Sequence, residues 1–297
     1  MLVWMAGTLP ALADGQIGIS YFSGGTLVPN LNGFSDLPTS GYGASLSLGL
    51  GESFSLSLSG NSQDGAEATR ERTGLLNLNT RTSSDSSGWG TNLNYFGEKF
   101  WFGFSYRTSE DSIALAGRVT GRTDLAVDYI EQQDFQSFGI EAGRDWLLGN
   151  WSPSLSLSLQ TQTADISRRE SIGTIDLNQV QLTDEKAEGT DVGLSASLLY
   201  YHQLTESVLL APAMGIFLQT QIDGDISGST VLGQRGTIGE RRQIFNYSDS
   251  LNANSLSSLD AGISLLVGDW MLNATYLTNL SSDTARDSIL LGISYSF

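Results

Sequence analysis

The sequence predicts an all-β fold, a transmembrane antiparallel up-and-down barrel of about twelve strands. Three observations predict it: alternation of apolar and small polar residues at period two, alternation of short and long connections, and apolar faces almost free of charge. The alternation is clearest in Ser53–Ser59 and Ser154–Leu159. Successive side chains of a strand point to opposite sides, so each of these segments has one apolar and one polar face.

The same pattern recurs along the chain. The predicted strands lie near residues 16–22, 41–50, 52–60, 88–96, 99–108, 134–145, 150–162, 191–202, 206–220, 258–267, 269–278 and 287–297. Most are close to the ~9–11 residues that a tilted strand needs to cross a bilayer, and no run approaches the ~18 apolar residues of a membrane-spanning helix. A membrane location would therefore require a barrel.

The connections differ in length from one end of the predicted barrel to the other. Short links lie at 51–52, 97–99, 147–150, 203–206 and 268–269, and long links lie near 23–40, 61–87, 109–133, 163–190, 221–257 and 279–286. Short periplasmic turns and long extracellular loops are typical of outer-membrane barrels. This order of links places both ends of the barrel on the periplasmic side.

The predicted outer face is apolar and bordered by aromatic residues. Its lipid-facing members include Leu46, Leu48, Phe102, Phe104, Leu194, Ala196, Ile263 and Leu265. Aromatic residues near strand ends are expected at the two membrane interfaces, where amphipathic rings are favoured: Trp89, Tyr95, Trp146, Trp151, Tyr200 and Trp270.

Composition excludes some classes of function. The formal net charge of -17 argues against nucleic acid as a partner, because phosphate binding needs clustered Lys and Arg. The absence of cysteine excludes disulfides and thiolate metal sites. Leu2–Leu9 is apolar and Ala11-Leu12-Ala13 fits a cleavage site, so residues 1–13 are expected to be a signal peptide and residues 14–297 the barrel. No Lys or Arg precedes the apolar core, which is consistent with a start further upstream.

The final segment, Ile289–Phe297, alternates to the last residue, with Tyr295 third from the end and Phe297 terminal. It resembles the C-terminal signature strand by which outer-membrane barrels are recognised. That resemblance assigns Tyr295 and Phe297 to the assembly signal and implies the barrel assembly machinery as a partner. It also implies the outer membrane of a Gram-negative bacterium as location, with outer-membrane lipid and lipopolysaccharide as surroundings.

A second resemblance concerns the type of barrel. Phe138–Gly143, a short turn and Trp151–Leu155 resemble a strand–turn–strand unit of autotransporter translocator domains, and the similarity extends over most of 134–297. Only residues 14–40 precede the first secure strands, so the resemblance is to members without a passenger. It implies a translocator-like barrel.

The predicted inner face favours a small-solute pore. It is mostly small, polar and neutral, and its two charged members are Arg107 and Glu141; other pore-lining candidates are Asn92, Asn94, Ser156 and Ser195. Such a lining predicts weak selectivity. A translocator-like barrel without a passenger and a closed structural or adhesive barrel remain as alternatives, and the solute and the oligomeric state stay open.

No catalytic motif, cofactor site or metal site is predicted. His202, beside the turn at 203–206, is more consistent with an interfacial aromatic cluster than with a general base. The carboxylates Glu110, Asp111, Asp184, Glu185, Asp223 and Asp225 lack the spacing of a calcium loop and are expected to form a solvated acidic rim. Two arginine pairs, Arg168-Arg169 and Arg241-Arg242, are candidates for contact with lipopolysaccharide phosphates.

The terminal residue provides a first test. Deleting Phe297, or Phe297→Asp, should lower the amount of protein in the outer membrane, because the assembly signal is lost. Fractionation and immunoblotting measure this, with total synthesis as the control. Wild-type abundance and unchanged heat-modifiable gel mobility would contradict the assignment.

Overall fold

The computed structural model describes residues 15–30, 33–73, 76–120, 124–174, 177–236, 239–250, 255–280 and 287–297. The expected signal peptide, residues 1–13, lies outside the described residues. Within the described ranges all regular structure is β, and no helix there is long and apolar enough to span a membrane.

Fourteen strands make up the chain's single sheet over these ranges. They are β1 (Gly15–Asn30), β2 (Gly33–Gly49), β3 (Phe54–Thr73), β4 (Leu76–Phe96), β5 (Trp101–Thr120), β6 (Leu125–Asp145), β7 (Trp151–Gly173), β8 (Leu177–Tyr200), β9 (His202–Thr205), β10 (Val208–Gly236), β11 (Gly239–Ser250), β12 (Ser255–Val267), β13 (Trp270–Asn279) and β14 (Asp287–Ser296).

The sheet closes on itself through antiparallel pairs. Each of β1 to β8 pairs with the next strand, β8 pairs with β10, β10 with β12, and β12, β13 and β14 follow in order. β14 then pairs with β1, which completes a ring of twelve strands. The short β9 and the distal β11 are attached to β10 only. The predicted barrel and its strand number are confirmed.

Closure is continued by the last residues of the chain. The Gly15 N–H donates to the Phe297 carbonyl at 3.0 Å, and the Phe297 N–H donates to the Gly15 carbonyl at 2.9 Å. A Cβ added at Gly15 would lie 2.6 Å from the Phe297 ring, so the terminal aromatic side chain covers this glycine. Tyr295, the other predicted assembly residue, packs against Trp270 with ring centroids 5.0 Å apart.

The short connections contain tight turns that need glycine. Gly51, Gly149 and Gly268 have φ of 75°, 65° and 58°, a region that is unfavourable for residues with a Cβ. All three lie at the same end of the barrel, between strands that the sequence predicts to be joined by short links. This end is therefore the expected periplasmic side.

At the end opposite the short turns, the long links that the sequence predicts as loops have a different structure. The long links are largely β-structure, because the strands continue well beyond the lipid-spanning part. From β4 to β10 they stay paired with both neighbours, so the extensions form one continuous sheet. β10 has 29 residues and β8 has 24, far more than a bilayer requires. On the side formed by β12, β13 and β14 the strands have only 13, 10 and 10 residues, so the wall is lower there.

The outer face of the lower barrel is a continuous apolar band. Leu58 is 44% exposed and Leu157 is 59% exposed, although both are large and apolar. Every residue predicted to face lipid lies on this outer side, because cross-strand partners share a face: Leu46 pairs with Leu58, Phe104 with Ile140, and Leu265 with Leu272. Lipid is the solvent that such a surface requires.

Aromatic pairs border this band at both ends. At the short-turn end the ring centroids of Phe54 and Tyr95, Trp151 and Tyr200, and Trp270 and Tyr295 lie 5.0, 4.6 and 5.0 Å apart. At the other end the pairs are Tyr21–Tyr42 and Trp89–Tyr106, each at 5.4 Å. The two girdles mark the interfaces expected of a membrane barrel.

A pair of adjacent substitutions tests the two faces. Leu58→Arg should lower the free energy of unfolding by roughly 2–4 kcal/mol, because it places a charge in the middle of the lipid-facing band. Ser57→Arg points into the polar interior and should cost clearly less. Folding titrations in lipid vesicles measure both, and equal costs would show that the faces are assigned wrongly.

Candidate functional site: the inner wall and its outer mouth

The six predicted pore-lining residues all lie on the inner side of the barrel. They alternate with outward residues of the apolar band: Arg107 follows Tyr106, and Glu141 follows Ile140. Asn92, Asn94 and Ser195 are half-buried on the same side, whereas Ser156 is only 4% exposed. Ser156 therefore supports its neighbours more than it contacts the open lumen.

Glu141 is held by hydrogen bonds within the wall. The Ser156 hydroxyl donates to the Glu141 carboxylate, and the hydroxyls of Ser156 and Ser195 lie 2.6 Å apart. Arg107, on the neighbouring strand β5, interacts electrostatically with Glu141. The two predicted charges thus belong to one region of the inner wall instead of acting independently.

The predicted pore lining does not include three inward carboxylates. Asp191 on β8 is 4% exposed and accepts a hydrogen bond of 2.8 Å from Gln219 Nε2. Asp260 lies on the inner face of β12, between the outward Leu259 and Ala261. Because side chains of a strand alternate between the two faces, the outward Val192 and Leu259 could have assigned their neighbours Asp191 and Asp260 to the lumen. Asp145 on β6 belongs to the same inward set, two residues after Gly143, and accepts a hydrogen bond of 3.4 Å from Trp101 Nε1. With these three, four carboxylates and one arginine lie on the described inner wall at membrane level.

Large inward side chains are accommodated beside glycines. The Trp101 ring occupies the place that a Cβ at Gly143 would take, and a Cβ at Gly193 would lie 3.1 Å from the Phe217 ring. Each glycine leaves room for the ring next to the wall. Aromatic residues on the inner face therefore take less space from the lumen than their size suggests.

A charged network crosses the inner face of the tall wall, above the apolar band. Arg168 Nε lies 2.7 Å from Glu131, and its Nη1 lies 2.7 Å from Glu185. Tyr129 donates a hydrogen bond to Glu131, and Tyr247 donates one to Glu185. The network joins β6, β7, β8 and β11, so it braces the part of the wall that extends beyond the membrane.

The tyrosine and arginine donors of this network keep their protons over a wide pH range. Desolvation and the hydrogen bond with Glu185 raise the pKa of Tyr247 to about 12. Partial burial acts to lower the pKa of Arg168, but the hydrogen bond with Glu131 and the two carboxylate charges outweigh it and raise that pKa. The tyrosines therefore remain donors and the arginine remains charged at any physiological pH.

The structure separates residues that the sequence places side by side. Arg168 faces inward to its carboxylates, whereas Arg169 is exposed on the outer face of the same strand. The expected arginine pair for lipopolysaccharide phosphates is therefore wrong at this position, because adjacent strand residues point to opposite sides. Arg242 is exposed on β11, and the side chain of Arg241 lies outside the described residues.

The same rule applies to the acidic residues. Glu110 is outward and Asp111 inward on β5, and Asp184 is outward and Glu185 inward on β8. Neither pair can bind one ion together. In the described part of the chain no group of three or more His, Asp and Glu residues is placed to hold a metal. A cavity of about 880 Å³ at this level is lined mainly by carboxylates and hydroxyls. Lys186 is the one cationic side chain among its described lining residues.

His202 lies at the opposite, short-turn end. It is exposed on β9, and its ring stacks on Tyr200 at a centroid distance of 6.2 Å and an angle of 16°. This position fits the predicted interfacial aromatic cluster.

The arrangement is similar to solved barrels, although no family model and no curated protein matches the sequence. The translocator domain of the autotransporter NalP from Neisseria meningitidis aligns with a TM-score of 0.62 at 10% identity, over 96% of this chain and 88% of that one. The two barrels share a fold. The β-domain of the Bordetella autotransporter BrkA aligns with a TM-score of 0.57 at 14% identity, over 96% of this chain and 100% of that one.

These similarities confirm the predicted resemblance at the level of fold. A toluene transporter, TbuX from Ralstonia pickettii, aligns with a TM-score of only 0.45 at 11% identity, over 95% of this chain and 89% of that one. The alignments with the two autotransporter domains and the apolar outer band establish an outer-membrane type of barrel for this chain.

Two neighbouring arginines test the network at the mouth. Arg168→Gln leaves Glu131 and Glu185 without their cation and should lower the free energy of local opening of β7 and β8 by about 1–3 kcal/mol. Hydrogen–deuterium exchange of the distal segments measures this opening.

The matched control is Arg169→Gln, which removes the same charge from the exposed face. It should change that free energy by no more than about 0.5 kcal/mol. Equal loss of protection in the two variants would mean that the network does not brace the wall.

Proposed function

We propose that this protein is a non-enzymatic pore for small solutes in the outer membrane of a Gram-negative bacterium, weakly selective with a preference for cations. The observation that carries the proposal is the chemistry of the inner wall. Small hydroxyl and amide side chains dominate it at membrane level. Its described charges there are one cation, Arg107, and four carboxylates: Glu141, Asp145, Asp191 and Asp260.

The preference for cations follows from the balance and placement of these charges. Fixed charges act more strongly on an ion in a narrow lumen with a low-dielectric wall than they do in bulk water. Asp191 is nearly covered and bonded to Gln219, so its influence on a passing ion is expected to be smaller than that of Glu141. Carboxylates at the mouth add to the attraction for cations at low salt.

A translocator-like role is the second candidate, and the fold similarity to the NalP translocator domain supports it. The two candidates differ in what the isolated barrel should do. A small-solute pore conducts in defined single-channel steps as purified protein, whereas a barrel that serves only the passage of its own chain, or a closed barrel, need not conduct.

Reversal potentials in a planar bilayer test the proposed pore. Glu141→Gln should shift the reversal potential towards anion preference and Arg107→Gln towards cation preference. At about 1 M salt the charges of the mouth are largely screened, which leaves the lumen effect more exposed.

The control is Asp134→Asn, which removes one carboxylate from the outer face of β6, the strand that carries Glu141. It should leave the reversal potential unchanged at this salt concentration. Shifts of equal size for Glu141→Gln and Asp134→Asn would contradict the assigned lining, and silence of folded wild-type protein would contradict the pore.

A further inference from the structure

The distal part of the β1–β2 hairpin leaves the barrel wall. Pairing of β1 with β14 ends at Ser23 opposite Ile289, and pairing of β2 with β3 ends at Ser40 opposite Asp64. The β1–β2 pairing nevertheless continues to Asn30 opposite Gly33. Residues 24–30 and 33–39, named the inner hairpin below, therefore pair only with each other among the residues that the structure describes.

The inner hairpin reaches past the adjoining strand β3 to β4 and β5. β1 contacts β4 and β5, and β2 contacts β4, although neither strand adjoins them in the sheet. Along the wall β1 and β5 are separated by four strand spacings, roughly 19 Å at about 4.8 Å each. Such contacts require the hairpin to fold over the face of β3, β4 and β5.

The face it covers is the inner one. Gly65 on β3 belongs to the inward set, and a Cβ added there would lie 2.5 Å from the Pro38 carbonyl oxygen and 2.7 Å from Thr39 Cγ2. Gln63, also inward on β3, donates a hydrogen bond to the Thr39 hydroxyl. Thr39 is the residue that would face Gly65 if the β2–β3 register continued, so Pro38–Thr39 lie against the inward side of β3 at the point where the hairpin leaves the ladder.

Burial on both sides of this contact agrees with that placement. Leu37 is completely buried and Thr39 is 3% exposed. On β4 and β5, the strands that the hairpin contacts, the inward residues Ser84, Thr82 and Leu115 are 7%, 8% and 4% exposed. Leu37 and Leu115 are apolar side chains for which this covered position is favourable.

We propose that the inner hairpin is a built-in restriction of the mouth, which limits the size of solutes that reach the lumen. The hairpin narrows the vestibule on the side of β3, β4 and β5, where the wall is tall. The limit on solute size rests on the proposed pore function, whereas the position of the hairpin does not. The two are therefore tested by different measurements.

Thiol labelling tests the position, because the chain contains no cysteine and each introduced one is unique. Ser84→Cys lies beneath the inner hairpin, and Ser86→Cys lies two residues away on the same face of β4, half-exposed in the large cavity. A membrane-impermeant maleimide should label Ser84→Cys much more slowly than Ser86→Cys in the folded barrel.

Two further changes should abolish this difference. Replacing residues 25–38 by Asn-Gly joins Gly24 to Thr39 through a two-residue turn and removes the inner hairpin. Gly65→Val instead keeps the hairpin but places a side chain where Pro38 and Thr39 now lie. Both should raise labelling of Ser84→Cys to the rate of Ser86→Cys, and Gly233→Val, with its nearest atom at 3.6 Å, should not. Fast labelling of Ser84→Cys with the hairpin intact would overturn the placement.

Conductance tests the restriction. The shortened variant should show larger single-channel steps than wild type and admit larger sugars in liposome swelling. Unchanged steps and unchanged sugar uptake, with the barrel folded and Ser84→Cys uncovered, would overturn the restriction and leave the hairpin as a structural cover. Silence of both proteins would overturn the pore function and with it the size limit, while labelling would still decide where the hairpin lies.

Discussion

Every backbone N–H and C=O in the lipid-spanning part must find a partner within the protein, since lipid offers none. The rest of the structure depends on this constraint. The β1–β14 ladder satisfies it where the first and last strands meet, and the exchange of hydrogen bonds between Gly15 and Phe297 extends it to Phe297. A gap at this seam would leave two unpaired edges in hydrocarbon.

Closure also fixes which side chains face which solvent. Once the ring is complete, a register slip of one residue would turn every apolar side chain of a strand into the lumen. Adjacent residues therefore lie in different surroundings. Leu157 is on the lipid-facing side, whereas Ser156 donates a hydrogen bond to Glu141 on the inner side. The charges that matter for a solute are those that alternation places inward, and proximity in sequence is a poor guide to them.

Beyond the lipid band the constraint relaxes, because water can satisfy a strand edge. The strands from β3 to β11 remain paired there as one sheet, which Arg168 braces through its ion pairs with Glu131 and Glu185. The β1–β2 hairpin instead separates from both neighbours and packs on the inner surface of β3, β4 and β5. Because strand edges above the membrane can bond to water, the structure has both a tall wall there and a hairpin that packs inside it.

The sequence by itself determined the barrel, its twelve strands, the lipid face and the girdles, because these depend on alternation within one strand and on local turn chemistry. Arg107 and Glu141 could be placed inward for the same reason. The distal ribbons could not be recognised, since both of their faces are polar and residues such as 61–87 show no apolar alternation. Only the tertiary structure decided that Arg168 joins two carboxylates and that Leu37 is buried inside the mouth. Those facts depend on which strands meet across the sheet and on where a hairpin leaves it, and no local pattern encodes either.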